Sequence, residues 1–201
     1  MIDTLIPLLP PDERAWRWLA DALRRIADDD AAILELFPAV RRVCGRGPLP
    51  GVPGWTIDES ARLVLLQGLA APRTTVPEVY RYGDTAEKIA VLKALPLLDV
   101  GPDALPLVRD ALRTNDTRLI EAAVGPYAAG HLPAHEYRQA VLKCVFVGIP
   151  LSAVAGLERR ADRELARMLA DYAHERTVAG RDVPEDVQRF ADVHNQGREG
   201  H

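Results

Sequence analysis

Between Thr56 and Pro133 the chain restarts a helix repeatedly, and this constrains its fold more than any other feature of the sequence. Thr56 and Glu59 form a capping-box pair ahead of the apolar run from Ile57, each side chain suited to bond the other residue's backbone amide. Asp84 and Glu87 repeat the device before "TAEKIAVLKALPLL". Pro102 can open a helix through Arg113, Asp116 another through roughly Ala128, and Pro133 a third through about Gly148. Starts this close leave room only for short connections, which set consecutive helices side by side as antiparallel hairpins. Nowhere do four or more alternating positions rich in Val, Ile, Thr or aromatics stand between turn signals, so no sheet is expected. The predicted class is all-α: antiparallel helical hairpins stacked as a HEAT- or armadillo-like α-solenoid, or a compact helical bundle.

The flanks follow the same pattern. Trp16, Leu19, Leu23 and Ile26 recur at helical spacing and predict an amphipathic helix from Pro11. A second helix, carrying Ile33, Leu36, Phe37, Val40 and Val43, follows the cap-forming run Asp28–Asp30 and stops before Gly45. "GRGPLPGVPG", residues 45–54, is too rich in Gly and Pro to continue either helix or strand. A helix from Ile57 to about Leu69 comes next. "ERRADRELARMLADYAHERTVAG" predicts one long helix with Leu165, Met168, Leu169 and Tyr172 on one side, and Pro184 to Val193 a short last one. Residues 1–194 read as a single all-α domain, and 195–201 as a disordered tail.

Composition narrows the function class. With 48% hydrophobic and 27% charged residues and a net charge of -4, the chain is neither disordered nor basic enough to track nucleic acid. The arginines at 24, 25, 41, 42 and 46 are interleaved with acids. Its two cysteines, Cys44 and Cys144, stand in apolar runs as small core residues, which suits a reducing compartment. "MIDTLIPLLPPDERAW" lacks the pattern of a secretory signal, and the longest apolar stretch is broken by Lys143 and by Gly-Ile-Pro, so no transmembrane segment is expected. A cytoplasmic location follows as the expectation.

Chemistry, if present, concentrates in the second half. Helix interiors disfavour Asn, Asp and Thr because their side chains compete for backbone groups, and helix N-termini favour them for the same reason. "TNDT", residues 114–117, therefore predicts a tight corner, with Asn115 tolerating the left-handed end of one helix and Asp116 capping the next. Arg118, one turn on, can add a bidentate fork at a helix N-terminus suited to phosphate or carboxylate. There Asn115 would bind a hydroxyl and Asp116 could act as base; the plainer alternative is a cap and a surface ion pair. Gly125-Pro126 predicts a kink beside which Tyr127 could donate a hydrogen bond. Lys143 lies in "AVLKCVFVGIPL", apolar on nearly every side, where a lysine must snorkel, pair or lose its proton. Lys93, in the related "AVLKALPLL", raises the same question. His131 and His135 lack a third ligand at zinc-like spacing, so neither a metal nor any other cofactor is expected.

The segments "LFPAVRRVCGRGPL", "WTIDESARLVLL", "EVYRYGDTAEKIAVLKALPLL", "ALRTNDTRLIEAAVGPYAAGHL", "QAVLKCVFVGIPLSAVAGLERRAD" and "ELARMLADYAHERTVAGRDVP" together resemble the EboA family of ebo-type bacterial gene clusters. The resemblance covers most of residues 34 to 184. It implies a cytosolic helical protein of a secondary-metabolite pathway, alongside companions that resemble a prenyltransferase, a sugar-phosphate cyclase, a metal hydrolase, a xylose-isomerase-like barrel and a phosphodiesterase-like enzyme. Asn115, Asp116, Arg118 and Lys143 fall within its motifs.

Residues and resemblance together give one leading expectation and two rivals. The first is an accessory protein that binds an anionic or polyhydroxylated pathway intermediate, or a partner enzyme from the cluster, with the corner of Asn115, Asp116 and Arg118 and with Lys143 as an anion-binding site, and Tyr127 and Lys93 as further binding residues. The second is a metal-free enzyme on a cyclitol- or prenyl-type intermediate, with Asp116 as base and Lys143 and Arg118 holding the anion. The third is a pure protein–protein scaffold.

Overall fold

The computed structural model describes residues 12–196, and among these every regular element is helical, with one isolated bridge between Pro48 and Thr56. The all-α class read from the sequence is the class observed. The chain groups into two compact units, Met1–Asp110 and Ala111–His201. The expected helix start at Pro11 and the tail beyond residue 196 lie outside the described residues.

In the first unit, α1 (Glu13–Asp28) begins at Asp12, whose carboxylate accepts from the amides of Arg14 and Ala15. It buries Ala15, Leu19, Ala22 and Ile26, the stripe that helical spacing marks out. α2 (Ile33–Cys44) packs on it through Ile33, Leu36, Phe37 and Val40. After the Gly/Pro-rich loop come α3 (Ile57–Gln67), α4 (Pro72–Tyr82) and α5 (Thr85–Ala94). α3 and α5 both open with complete capping boxes, at Thr56/Glu59 and Asp84/Glu87, as the spacing predicts. α3 is the centre of this unit, buried from Ser60 through Leu66 and packed against α1, α2 and α5.

α4 is a helix that the sequence pattern does not announce, because Pro77 falls inside it. Pro72 serves as its first residue, where the missing amide proton costs nothing. Its approach is anchored from far away: Asp30 accepts from the amides of Ala70 and Ala71, both at 2.8 Å. Of the acidic run, Asp29 caps a short 3-10 turn and Asp30 makes this distant bond.

A 3-10 turn at Gly101–Ala104 leads into α6 (Leu105–Arg113), whose end passes into the second unit. There α7 (Thr117–Ala123), α8 (Pro126–His131), α9 (Ala134–Phe146), α10 (Leu157–Arg160), α11 (Arg163–Val178) and α12 (Glu185–Gln196) follow. Two expected helices are each divided. The stretch from Asp116 to Ala128 is not one kinked helix: α7 ends at Ala123, Gly125 turns extended, and Pro126 starts α8. The long helix from Glu158 is likewise broken at Asp162, whose carboxylate caps α11 by accepting from Leu165 N at 2.9 Å. In both places a start signal inside the pattern overrode the helical period. α12 runs on through Asn195 and Gln196, two residues into the expected tail. α9 buries Tyr137, Ala140, Val141, Cys144 and Val145, and α11 packs against both α9 and α12.

Candidate functional site

The corner at residues 114–117 is held from three directions. Asp116 caps α7 by accepting from the Arg118 amide at 3.0 Å, and the same carboxylate grips the Arg118 guanidinium through Nε at 3.0 Å and Nη2 at 2.7 Å. Arg118 thereby holds the Asp116 carboxyl below its ordinary value, first through the side-chain bond. A carboxylate so stabilised is a weaker base, which argues against Asp116 abstracting protons. Asn115 is exposed but not left-handed, since among the described residues only glycines have positive φ. The α6 end is closed by other means.

Those means are Lys143. Its half-buried ammonium reaches from α9 to the carbonyls of Leu112 at 2.6 Å and Thr114 at 2.7 Å. A cation at this place both satisfies carbonyls that a helix end leaves open and opposes the negative pole of its dipole. Lys143 therefore meets the corner through its backbone and not through Asp116. Tyr127 is buried in α8 with its ring centroid 4.5 Å from that of His131.

Arg160 closes α8 in the same way, and the sequence reading passed it over. Its guanidinium donates to Ala129 O at 2.9 Å and Leu132 O at 2.7 Å, and lies 4.3 Å from the Tyr137 ring centroid. Tyr137 in turn donates its hydroxyl to Ala155 O at 2.9 Å.

Lys93 belongs to the first unit. It donates to Gly54 O and pairs with Glu59, with its ammonium 4.9 Å from the Trp55 ring centroid, tying α5 to the Gly/Pro-rich loop. Near it lies a buried charge cluster that the sequence reading also missed. Arg62, only 1% exposed, pairs with Asp58 at 2.8 Å and Glu87 at 3.8 Å beneath the Phe37 ring. Burial raises the Glu87 carboxyl above its ordinary value, and the nearby Arg62 charge only partly offsets this. The signal was available, because an arginine inside "SARLVLLQ" is as anomalous as a lysine inside "VLKCVFV".

An open groove of about 850 Å³ lies in the second unit, between the turn after α9, α10 and α12. Leu151, Val154, Leu157 and Phe190 give it carbon surface, and Arg159, Arg189, Glu158 and Asp186 line it with two charges of each sign. Asp186 joins its sides: the carboxylate accepts from Leu151 N at 2.6 Å and from Val187 N at 2.9 Å, fixing the start of α12 to the turn. Its volume falls within the range of small-molecule sites. No group of three or more His, Cys, Asp and Glu side chains able to hold a metal ion occurs among the described residues.

The family model described as metabolite traffic protein EboA matches residues 49–192, a span that contains the corner, the buried cluster and the groove. The chain belongs to the EboA family. That description fits an accessory role in metabolite handling. No curated protein and no solved structure matches the chain. Among the described residues, no helix is long and apolar enough to cross a membrane.

Proposed function

We propose that this protein holds a small molecule during metabolite traffic without converting it, and that the molecule rests in the groove of the second unit. The observation that carries this reading is the groove itself, where an apolar floor and two guanidiniums open together on a ligand-sized space. The family's description supports handling of a metabolite. The occupied chemistry elsewhere supports holding over turnover: Asp116 is bound to Arg118, and Lys143 is bound to backbone carbonyls. On this reading Asp116, Arg118 and Lys143 hold the corner that carries Asn115, Tyr127 packs in α8 against His131, and Lys93 ties α5 to the loop of the first unit.

Thermal melting of the full chain with metabolite extracts from a strain carrying the gene cluster tests the reading. A ligand that binds only the folded form stabilises it by about 2.7 kcal/mol at a hundred times its Kd. The expected shift is lost when Ala161, on the groove wall, is replaced by Trp, and kept in Lys143→Ala and Arg118→Ala relative to their own baselines. A shift lost in the corner variants and kept in Ala161→Trp would move the site to the corner. No shift in any extract would refute small-molecule binding at those concentrations.

A further inference from the structure

We infer that the groove selects an amphiphilic anion, a soluble molecule with a hydrocarbon or aromatic body and a carboxylate, phosphate or sulfate head. This rests on the reading of the groove as a small-molecule site and adds the class of molecule. Four charged side chains line it: Glu158, Arg159, Asp186 and Arg189. Asp186 is the more occupied of the acids, since each of its oxygens already accepts a backbone amide. Neither arginine has an ion-pair partner among the described residues. Among the described residues Arg189 donates only Nε, to Glu185 O at 3.3 Å, and neither terminal nitrogen is engaged.

Both guanidiniums are exposed, while Leu151 and Val154 beneath them are buried and Leu157 and Phe190 are half-buried. Charge thus stands at the mouth and carbon at the floor. Glu158 is an exposed carboxylate in the same lining, so with Asp186 bonded to backbone amides two guanidiniums stand against one acid. A guanidinium is weakly hydrated and presents a planar fork to an oxyanion, so this excess favours an acid head over an ammonium or a hydroxyl. A wholly polar ligand would leave the floor in contact with water, and a neutral hydrocarbon would leave the two cations unused. A molecule with both parts satisfies both surfaces.

The test uses the full chain and four probes: decyl phosphate, decanol, decyltrimethylammonium and inorganic phosphate, titrated calorimetrically below any micelle-forming concentration. Decyl phosphate is expected to bind at one site. Inorganic phosphate should bind at least about tenfold more weakly because no hydrocarbon covers the floor, decanol likewise because the charge-assisted contacts are lost, and the ammonium weaker still because they are reversed. The double variant Arg159→Gln/Arg189→Gln, altered only at exposed positions, should melt like the parent and lose at least about tenfold in decyl phosphate affinity. Equal binding of decanol and decyl phosphate, unchanged in the double variant but abolished by Ala161→Trp, overturns the anion while leaving the groove a small-molecule site. Failure of all four probes to bind overturns the anion assignment, and if the extracts also give no shift the holding function falls with it. Co-sedimentation with phosphatidylglycerol vesicles that the double variant abolishes would assign the anion to a bilayer and overturn a soluble ligand.

Discussion

Replacing Arg62 by Met removes the cation from the driest charged cluster in the first unit. Arg62 is 1% exposed, and Asp58 and Glu87 are each 6% exposed, so the substitution strands two carboxylates with little access to water. Breaking a buried pair on one side costs about 3–5 kcal/mol, because the remaining charge keeps its desolvation penalty and loses its compensation. For a unit of this size each kcal/mol moves the melting midpoint by about 4 °C, so a fall of about 12–20 °C is expected. Calorimetry together with urea denaturation followed by far-ultraviolet circular dichroism reads the change directly. Adding Asp58→Asn and Glu87→Gln to Arg62→Met should restore most of the loss, since neutral groups of the same shape demand no cation. Acidity supplies a further check. Burial raises the folded-state value of Glu87 above its ordinary 4.5, so the folded chain binds this proton more tightly than the unfolded chain. The stability tied to that proton declines as pH rises through the window above 4.5, and the deficit of Arg62→Met should therefore shrink on acidification toward it. A loss under about 1 kcal/mol, typical of an exposed pair, would refute this account, as would a triple variant no more stable than the single one.

Lys143→Met should lower the urea midpoint by an amount equivalent to about 2 kcal/mol, the worth of charge-assisted bonds from a half-buried amine; an unchanged midpoint would mean water closes α6 equally well. Gly156→Ala should destabilise more than Gly148→Ala, as read by paired thermal melts. Both glycines have φ near +70 to +80°, which costs an L-residue about 1–2 kcal/mol, but a Cβ at 156 would also stand 3.0 Å from Ala129 Cβ, whereas at 148 it meets open space. Burial pushes the thiols of Cys44 and Cys144 up to about 11, so at pH 8 both should react slowly with a thiolate-selective disulfide reagent in the native state and rapidly in guanidinium. Fast native reaction of Cys144 would contradict its burial.

What could be read from the sequence is what the chain settles over a few residues. Both capping boxes, the Gly/Pro-rich loop and the apolar stripe of α1 appear as spacing predicts, because a cap or a helical face involves neighbours three or four positions apart. The breaks at Pro126 and Asp162 were legible too, as start signals, but the surrounding period outweighed them. α4 was hidden by Pro77 inside it, and the carboxylate that anchors its approach comes from Asp30, forty residues upstream. Lys143 and Lys93 stood out by their apolar surroundings, yet nothing local says that Lys143 meets the carbonyls ending α6 or that Lys93 meets Gly54 O and the Glu59 carboxylate. The groove draws on residues from Leu151 to Phe190 in three elements, and no spacing rule assembles them.

The pair α1–α2 lies ahead of residue 49, where the family match begins, yet it is not an appendage. Phe37 of α2 roofs the Arg62 guanidinium, Asp30 fastens the approach to α4, and Leu23 of α1 crowds Gly68 so closely that even a methyl group there would stand 2.8 Å from it. Recognition and folding thus draw their borders in different places. A fragment excised at the start of the matched span would keep the family's signature intact while admitting water to the ion cluster and baring the apolar side of α3.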